Sequence, residues 1–471
     1  MAITNAIRSL QAVFPAGQII LPATEEYDRI NGSYLSALES DITPACIFRP
    51  ASANDVALFI RTIQPLNAPF AIRGAGQQPL PGCANIQDGI TLDLGSLTGV
   101  QIKDGSVFIA AGERLGPIYE ILGAEELAVT GSRSAKGGIG GGGLSFFSSR
   151  EGFISDNVLN YEIVLSTGEI VNANKSENPD LWIALRGGGN NFGVVTRYDI
   201  RTFPQGPFWG GSIYYLQPSF AGQVDALVAE LKKPDASDDT HLMISVGYAA
   251  QFSQTMCQNQ VYYTGKSDTV PDVLRPFVEI EPKIDQISSV RVLGLKDAAS
   301  EQAAVAMEKV QCAYFNLTVK ADAATLKAAA DIYTAALEPI KALDGLVCSL
   351  TLQPYPLSLL QKSATLGGNS LGLSIHDGPL VSLLLLNYWR NEEDDRRILD
   401  LMDKTAKDIE AEASRRNQLV PFKYLNYAFE TQDPIASYGE QSVEMLKEVS
   451  RKYDPERLFQ KYVPGGFKVI R

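Results

Sequence analysis

Polar Ser52 and Asp55 precede apolar Val56, Ala57, Phe59, Ile60 and Ile63, the pattern of a capped helix with one buried face. An apolar run then enters Ile72-Arg73-Gly74-Ala75-Gly76-Gln77-Gln78-Pro79, and a strand-like Ile90-Thr91-Leu92-Asp93-Leu94 follows. The region therefore reads as strand, helix, strand around a glycine turn. Residues 106–112 read as a strand, a helix begins at about Leu115, and a second glycine cluster runs over 131–143. Segments 160–165 and 170–173 flank Ser166-Thr167-Gly168-Glu169, a hairpin signature. A helix over 179–186 leads into a third glycine loop, Gly187-Gly188-Gly189-Asn190-Asn191-Phe192-Gly193.

From about Trp209 the elements lengthen and glycine thins out. Strands are expected at 213–215, 242–246 and 261–263, and helices at 225–233, 298–310 and 321–337. The apolar run 381–389 has the length of a buried strand and is too short to cross a bilayer. The charged stretch 391–397 opens a helix with Ile398, Leu401, Met402 and Ile409 on its apolar face, and its mixed signs mark a solvated start. In the tail, Tyr424-Leu425-Asn426-Tyr427 precedes a helix carrying Val443, Leu446, Val449 and Tyr453, which Asp454-Pro455 ends. The pattern predicts an α+β protein. One α+β unit spans 1–207, an antiparallel sheet backed by helices spans 208–418, and 419–471 returns to the first unit.

Composition narrows the chemistry. At 471 residues the chain has room for more than one core, and 45% hydrophobic with 20% charged residues is a globular balance. A net charge of -13, with no basic tract to offset it, repels phosphate backbones and anionic lipid, so neither nucleic acid nor membrane is expected as a partner. The N-terminus shows no signal peptide, which points to a cytoplasmic or other intracellular protein. Cys46, Cys83, Cys257, Cys312 and Cys348 are scattered singly, and only His241 and His376 are present. No metal site is expected from this set. Chemistry must then come from a bound cofactor.

The turn at 73–78 supplies small residues whose backbone N–H groups can converge on an anion, with a cation alongside. With it go Pro44-Ala45-Cys46-Ile47-Phe48-Arg49-Pro50, Gly141-Gly142-Gly143-Leu144-Ser145-Phe146-Phe147, Asp156-Asn157-Val158, the third glycine loop and Tyr424-x-Asn426-Tyr427. Taken in order, these motifs resemble the FAD-linked oxidoreductases of the vanillyl-alcohol oxidase superfamily, in particular the fungal berberine-bridge-enzyme-like group. The resemblance implies a PCMH-type FAD-binding domain of two subdomains plus a substrate domain whose antiparallel sheet roofs the flavin. It assigns FAD contacts to Arg73, Gly74, Ala75, Gly76, Gln77 and Gln78. Further contacts fall to Gly131, Ser132, Gly137, Gly138, Gly141, Gly142 and Leu144, to Asp156, Asn157 and Val158, to Gly193, Val194 and Val195, and to Asn426.

The chain departs from the family at Gln77, where the family has a histidine bonded to the flavin. An amide nitrogen lacks the nucleophilic lone pair of an imidazole. The second cluster also carries no cysteine, so FAD is expected to be noncovalent and the weaker oxidant for it. Tyr424 is expected as base or substrate hydrogen-bond partner, supported by Asn426 and Tyr427. His376 reads as an exposed loop histidine or a recruited acid or base, and Lys136 as a solvated lysine or a diphosphate contact. Cys83 reads as a passive thiol.

The resulting expectation is an FAD-dependent oxidoreductase of fungal secondary metabolism, acting on a small organic molecule by hydride transfer to flavin N5. Molecular oxygen is the expected reoxidant, and cyclisation can follow. The alternative is a redox-neutral cyclase or isomerase, pericyclic types included, that uses FAD to shape its site. Oligomeric state is not legible.

Overall fold

The computed structural model describes residues 2–307 and 309–470. Strands Ile19–Ile20, Cys46–Phe48, Ile90–Asp93 and Phe70–Arg73 lie side by side in that order, the last three mutually parallel. Helix Ala53–Ile63 crosses between Cys46–Phe48 and Phe70–Arg73, and the Ser52 hydroxyl caps it by accepting from Asp55 N at 3.1 Å. Its buried face stacks Phe59 on Phe48 at 5.0 Å and sets it edge-on to Phe70 at 5.5 Å. Phe70–Arg73 is thereby pinned at the point where the glycine turn leaves the sheet.

A second sheet, in the order Val100–Lys103, Ser106–Ala110, Val194–Arg201, Val158–Val164, Ile170–Asn174, is antiparallel throughout. Its last two strands are the expected hairpin, turned at Gly168 with φ of 75°.

The third sheet has eight antiparallel strands: Arg291–Leu293, Phe208–Leu216, Gln254–Tyr263, Thr240–Ala249, Val347–Tyr355, Leu380–Trp389, Gln311–Lys320 and Leu419–Val420. Helices Phe220–Leu231, Ala323–Ala336 and Asp395–Arg415 pack behind it. Thr240–Ala249 shows the division of faces. Leu242, Ile244 and Val246 are buried toward the helices, whereas Met243, Ser245 and Gly247 face a large cavity. The sheet strands are longer than expected, because polar residues on the cavity face broke the apolar signal. The helix expected over 298–310 is found at Leu295–Val305 and gives way to extended backbone at Ala306, while position 308 lies outside the described residues.

Helix Glu440–Tyr453 ends at Asp454, whose carboxylate accepts from Leu458 N (2.7 Å) and Phe459 N (2.9 Å) and so starts the short helix Leu458–Lys461. The chain then runs back beside the first sheet, with Phe70 N donating to Tyr462 O at 2.7 Å. Asn191, fully buried in the third glycine loop, clamps the end of the chain. Its Nδ2 donates to Phe467 O at 2.8 Å, and its Oδ1 accepts from Val469 N at 3.2 Å.

Candidate active site

The glycine loops and the eight-stranded sheet enclose a cavity of about 1440 Å³. That exceeds the roughly 300–1,000 Å³ usual for one small ligand. Gly74, Ala75, Gly76, Gln77 and Gln78 form one wall, and Gly76 takes the left-handed φ of 66° that turns the chain. Gln77 Nε2 makes only a long 3.4 Å contact to Gly76 O, and Gln78 Nε2 reaches Leu425 O at 3.5 Å. Arg73 differs from the expectation of a direct contact. Its guanidinium turns away, donates to Ile30 O and Ser33 Oγ, each at 2.7 Å, and stacks on the Tyr34 ring at 3.7 Å. It braces the turn from behind.

The second cluster brings Ser132, Gly137, Gly138, Gly141, Gly142 and Leu144 to the cavity. It lies against the first turn so closely that a Cβ on Gly138 would stand 3.0 Å from Ala75 Cβ. Gly131 sits behind this wall, where a Cβ would meet Tyr119 and Leu115. Lys136 is exposed, and its carbonyl accepts from Arg114 at 2.7 Å. Val158, Gly193 and Val195 reach the cavity, while strand alternation sends Val194 into the core of the first sheet.

The side chains of Asp156 and Asn157 also turn away from the expected cofactor contact. Asp156 accepts from Ser363 Oγ, Asn369 Nδ2 and Phe153 N, and burial pushes its carboxyl up from the ordinary value. Asn157 donates to Glu151 O and Phe153 O at 2.7 and 2.9 Å. Both shape the loop that presents Val158. His376 stands exposed in the turn Ile375–Asp377, off the cavity wall, because this turn precedes the buried strand Leu380–Trp389 on the outside.

Asn316 positions the tyrosines by pairing with the backbone of Tyr424 in both directions, at 2.7 and 3.1 Å. The Tyr424 hydroxyl oxygen accepts from Leu144 N at 3.0 Å and from Asn426 Nδ2 at 2.9 Å, so both of its lone pairs are spent. Burial, with Tyr427 next, raises its pKa, against the opposing influence of Arg133, Asn426 and Leu144 N–H. Its approach requires the bare backbone of Gly143, where a Cβ would overlap the Tyr424 hydroxyl.

Tyr427 packs edge-on against Tyr424 at 4.8 Å and is half-buried on the cavity wall. Its hydroxyl donates to Gln353 Oε1 at 3.1 Å and accepts from Arg133 Nη2 at 2.5 Å. Arg133 Nη1 donates to the Met243 thioether at 2.8 Å. Sequence reasoning singled out Lys136 in this cluster and passed over Arg133, three residues before it. The signal available was a cation flanked by two serines. Cys83 also borders the cavity, with burial pushing its thiol up to about 12, so it stays a thiol. His241 lies in Thr240–Ala249 with its ring 5.3 Å from Phe146, and burial drives its pKa well below the ordinary value.

The glycine walls and cavity volume fit an FAD. Backbone N–H groups of the first turn suit its diphosphate, and the wall is free of obstructing side chains. Residues 44–174 match the family model described as an FAD binding domain. The chain belongs to the FAD-dependent oxidoreductase family of its fungal relatives, and its fold is that of two-domain FAD-binding oxidases.

Among relatives, the FAD-dependent monooxygenase tpcD of Cochliobolus heterostrophus is 36% identical, over 93% of this chain and 88% of its own length. The fold is shared with xylooligosaccharide oxidase from Myceliophthora thermophila C1 (TM-score 0.78, 19% identity, covering 99% of both chains). It is also shared with berberine bridge enzyme (TM-score 0.75, 14% identity, covering 98% of this chain and 99% of the other). No helix among the described residues is long and apolar enough to cross a membrane.

Proposed function

We propose that this protein oxidises a small organic molecule of fungal secondary metabolism inside the 1440 Å³ cavity, as a berberine-bridge-enzyme-like oxidoreductase. Bound FAD would supply the acceptor for a hydride from the substrate and return the electrons to molecular oxygen. Gly74, Ala75, Gly76, Gln77 and Gln78 hold its diphosphate end, and Ser132, Gly137, Gly138, Gly141, Gly142 and Leu144 form the facing wall.

The observation that carries this reading is the Tyr427 hydroxyl, fixed between Arg133 and Gln353 on the cavity wall. A hydroxyl held from two sides cannot swing, so it meets a substrate oxygen in one orientation. Tyr427 serves as hydrogen-bond partner and proton-transfer group for the substrate. Tyr424, with its lone pairs occupied, locks the second cluster to the tyrosine loop through Leu144 and Asn426. The division at 207 and 418 assigns the glycine walls to cofactor and the eight-stranded sheet, apart from its edge strand Leu419–Val420, to substrate.

FAD is held without a covalent bond, because the residue at the tethering position is Gln77. Acid precipitation should leave the yellow colour in the supernatant, and colour in the pellet would refute this. Gln77 also supports the second reading, a redox-neutral cyclisation on the same walls, since an untethered flavin is the weaker oxidant. Anaerobic mixing with substrate separates the two readings. Bleaching of the visible flavin band supports oxidation, and product formed with the band intact supports cyclisation.

A further inference from the structure

The cavity has an uneven charge. Among the described residues that line it, the charged ones are Arg133, Asp344 and Arg390, and the last two pair with each other at 2.9 Å. Arg133 has no carboxylate partner among the described residues, although the whole chain carries a net charge of -13. Arg133 is half-buried, so its guanidinium is partly solvated and stays open to a stronger acceptor than those it has.

Its two protein partners do so poorly. One is the Tyr427 hydroxyl, which is uncharged as a phenol, and the other is the Met243 thioether, a weak acceptor. The Met243 contact is the one a stronger acceptor would replace. Arg133 also extends its field over the surrounding wall, opposing protonation of His241 and favouring loss of the Tyr424 proton.

The roof around this point is equally unfinished. Met243 lies opposite Gln260 in the strand register, and Gln260 lines the cavity with Oε1 unpartnered and only 6% of its surface exposed. Gln353 follows Leu352, which pairs with Ile244, so it stands across from Met243 on the other side. Its Oε1 is held by Tyr427, yet its Nε2 has no partner and the residue is 1% exposed. The adjacent hydroxyls of Ser245 and Thr351 approach to 2.9 Å. A lone cation and a phenol thus meet on the cavity wall, with the Gln260 amide beside Met243 and the buried Gln353 amide behind the phenol. Together they call for a ligand that brings a negatively charged oxygen and a second polar group.

We propose that Arg133 is the subsite for an ionised oxygen of the substrate, so the substrate class is an acidic small molecule bound as its anion: a phenol, an enol or a carboxylic acid. The anion takes the Nη1 donor now on Met243, beside the Tyr427 hydroxyl. The proposal rests on the reading of this cavity as the substrate site, and it makes no demand on which redox step follows. Arg133 donates to Met243 on the roof strand and to Tyr427, and the proposal assigns the charge it answers to the substrate rather than to the FAD diphosphate.

The test is a binding titration of the FAD-loaded protein, read from the flavin visible band and fluorescence, and it needs no turnover. The probes at pH 8.5 are 4-nitrophenolate for a phenol or enol source, benzoate for a carboxylate source, and neutral 4-nitroanisole as the uncharged isostere. At least one anion should bind ten-fold or more tighter than 4-nitroanisole, and whichever does identifies the oxygen source. Arg133→Met should shrink that preference to within two-fold, while Arg133→Lys retains part of it and Tyr427→Phe retains most.

FAD content and melting temperature of each variant separate this effect from misfolding. A preference unchanged in Arg133→Met overturns the proposal, as does an absence of any anion preference in the parent protein. So does an Arg133→Met variant that alters FAD affinity while leaving anion selectivity intact, because the guanidinium would then serve the cofactor. Failure of the oxidative reading is seen elsewhere, in the anaerobic mixing experiment, and leaves these outcomes unaffected.

Discussion

Replacing Gly143 by alanine adds one methyl group at the point where two chain segments meet. That Cβ would overlap the Tyr424 hydroxyl and stand 2.6 Å from Asn426 Nδ2. Gly143 is not among the glycines with left-handed φ, so no backbone strain is added and the clash is the whole perturbation. Relief requires Tyr424 to withdraw, which strands the buried Leu144 N–H now donating to it at 3.0 Å and breaks the Asn426 contact at 2.9 Å. A stranded buried donor costs about 1–3 kcal/mol. Overpacking costs about 1–3 kcal/mol more.

The expected destabilisation of Gly143→Ala is therefore about 2–6 kcal/mol, or a fall in melting temperature on the order of 5 °C, with weakened FAD retention. Tyr424→Phe alone loses the same hydrogen bonds without the clash, at about 1–3 kcal/mol. In the double variant the hydroxyl is absent, so part of the overlap vanishes, and the combined loss should fall short of the sum by about 1–2 kcal/mol. Thermal melts and FAD titrations of all four proteins measure the cycle. Strict additivity, or a Gly143→Ala protein that melts within 1 degree (roughly 0.5 kcal/mol or less) of the parent, would refute the reasoning.

Tyr427→Phe should lower kcat/KM by about 10²-fold or more while FAD content stays at the parent level, measured by steady-state kinetics and the visible spectrum. Asn191→Ala leaves Phe467 O and Val469 N without their partner inside the protein, at a cost of about 2–4 kcal/mol. Limited proteolysis should then cut near the C-terminus while sparing the parent. Lys468, which donates to Asn190 Oδ1 at 2.9 Å, has its pKa lowered by burial to about 7 from the ordinary 10.5, with Cys83 and Asp454 acting in the opposite sense.

A depressed folded value means the unfolded chain binds the proton more readily between pH 7 and 10.5. Stability is then fully present above the unfolded value and lost as pH falls through about 7. Denaturation midpoints should accordingly drop from pH 9 to pH 7 in the parent and change less in Lys468→Met. Asp454, raised by burial to about 6, loses its stabilising effect as pH rises through that lower window and does not interfere.

Local order was legible in residue patterns: the Ser52 cap, the hairpin around Gly168, the buried strand Leu380–Trp389 and the helix stop at Asp454-Pro455 each follow from short-range rules. The glycine loops were equally visible, because glycine marks positions where backbone approaches a neighbour or an anion. The direction of side chains within those loops was not. Asp156, Asn157 and Arg73 sit in the expected stretches yet point into the scaffold, since their orientation depends on Ser363, Glu151 and Tyr34, which are distant in sequence or on another element.

Composition pointed only to a bound cofactor, and the ordered motifs, through the family they resemble, pointed to FAD. Only the closed fold brought together the hydrogen-bonded group on the cavity wall. Arg133 and Tyr427 lie 294 residues apart, Tyr427 and Gln353 lie 74 apart, and their meeting on one wall follows from strand register and packing rather than from any local pattern. Long-range contacts carry no short-range signature, so a cation without a counter-ion in a cavity becomes visible once the fold has closed around it.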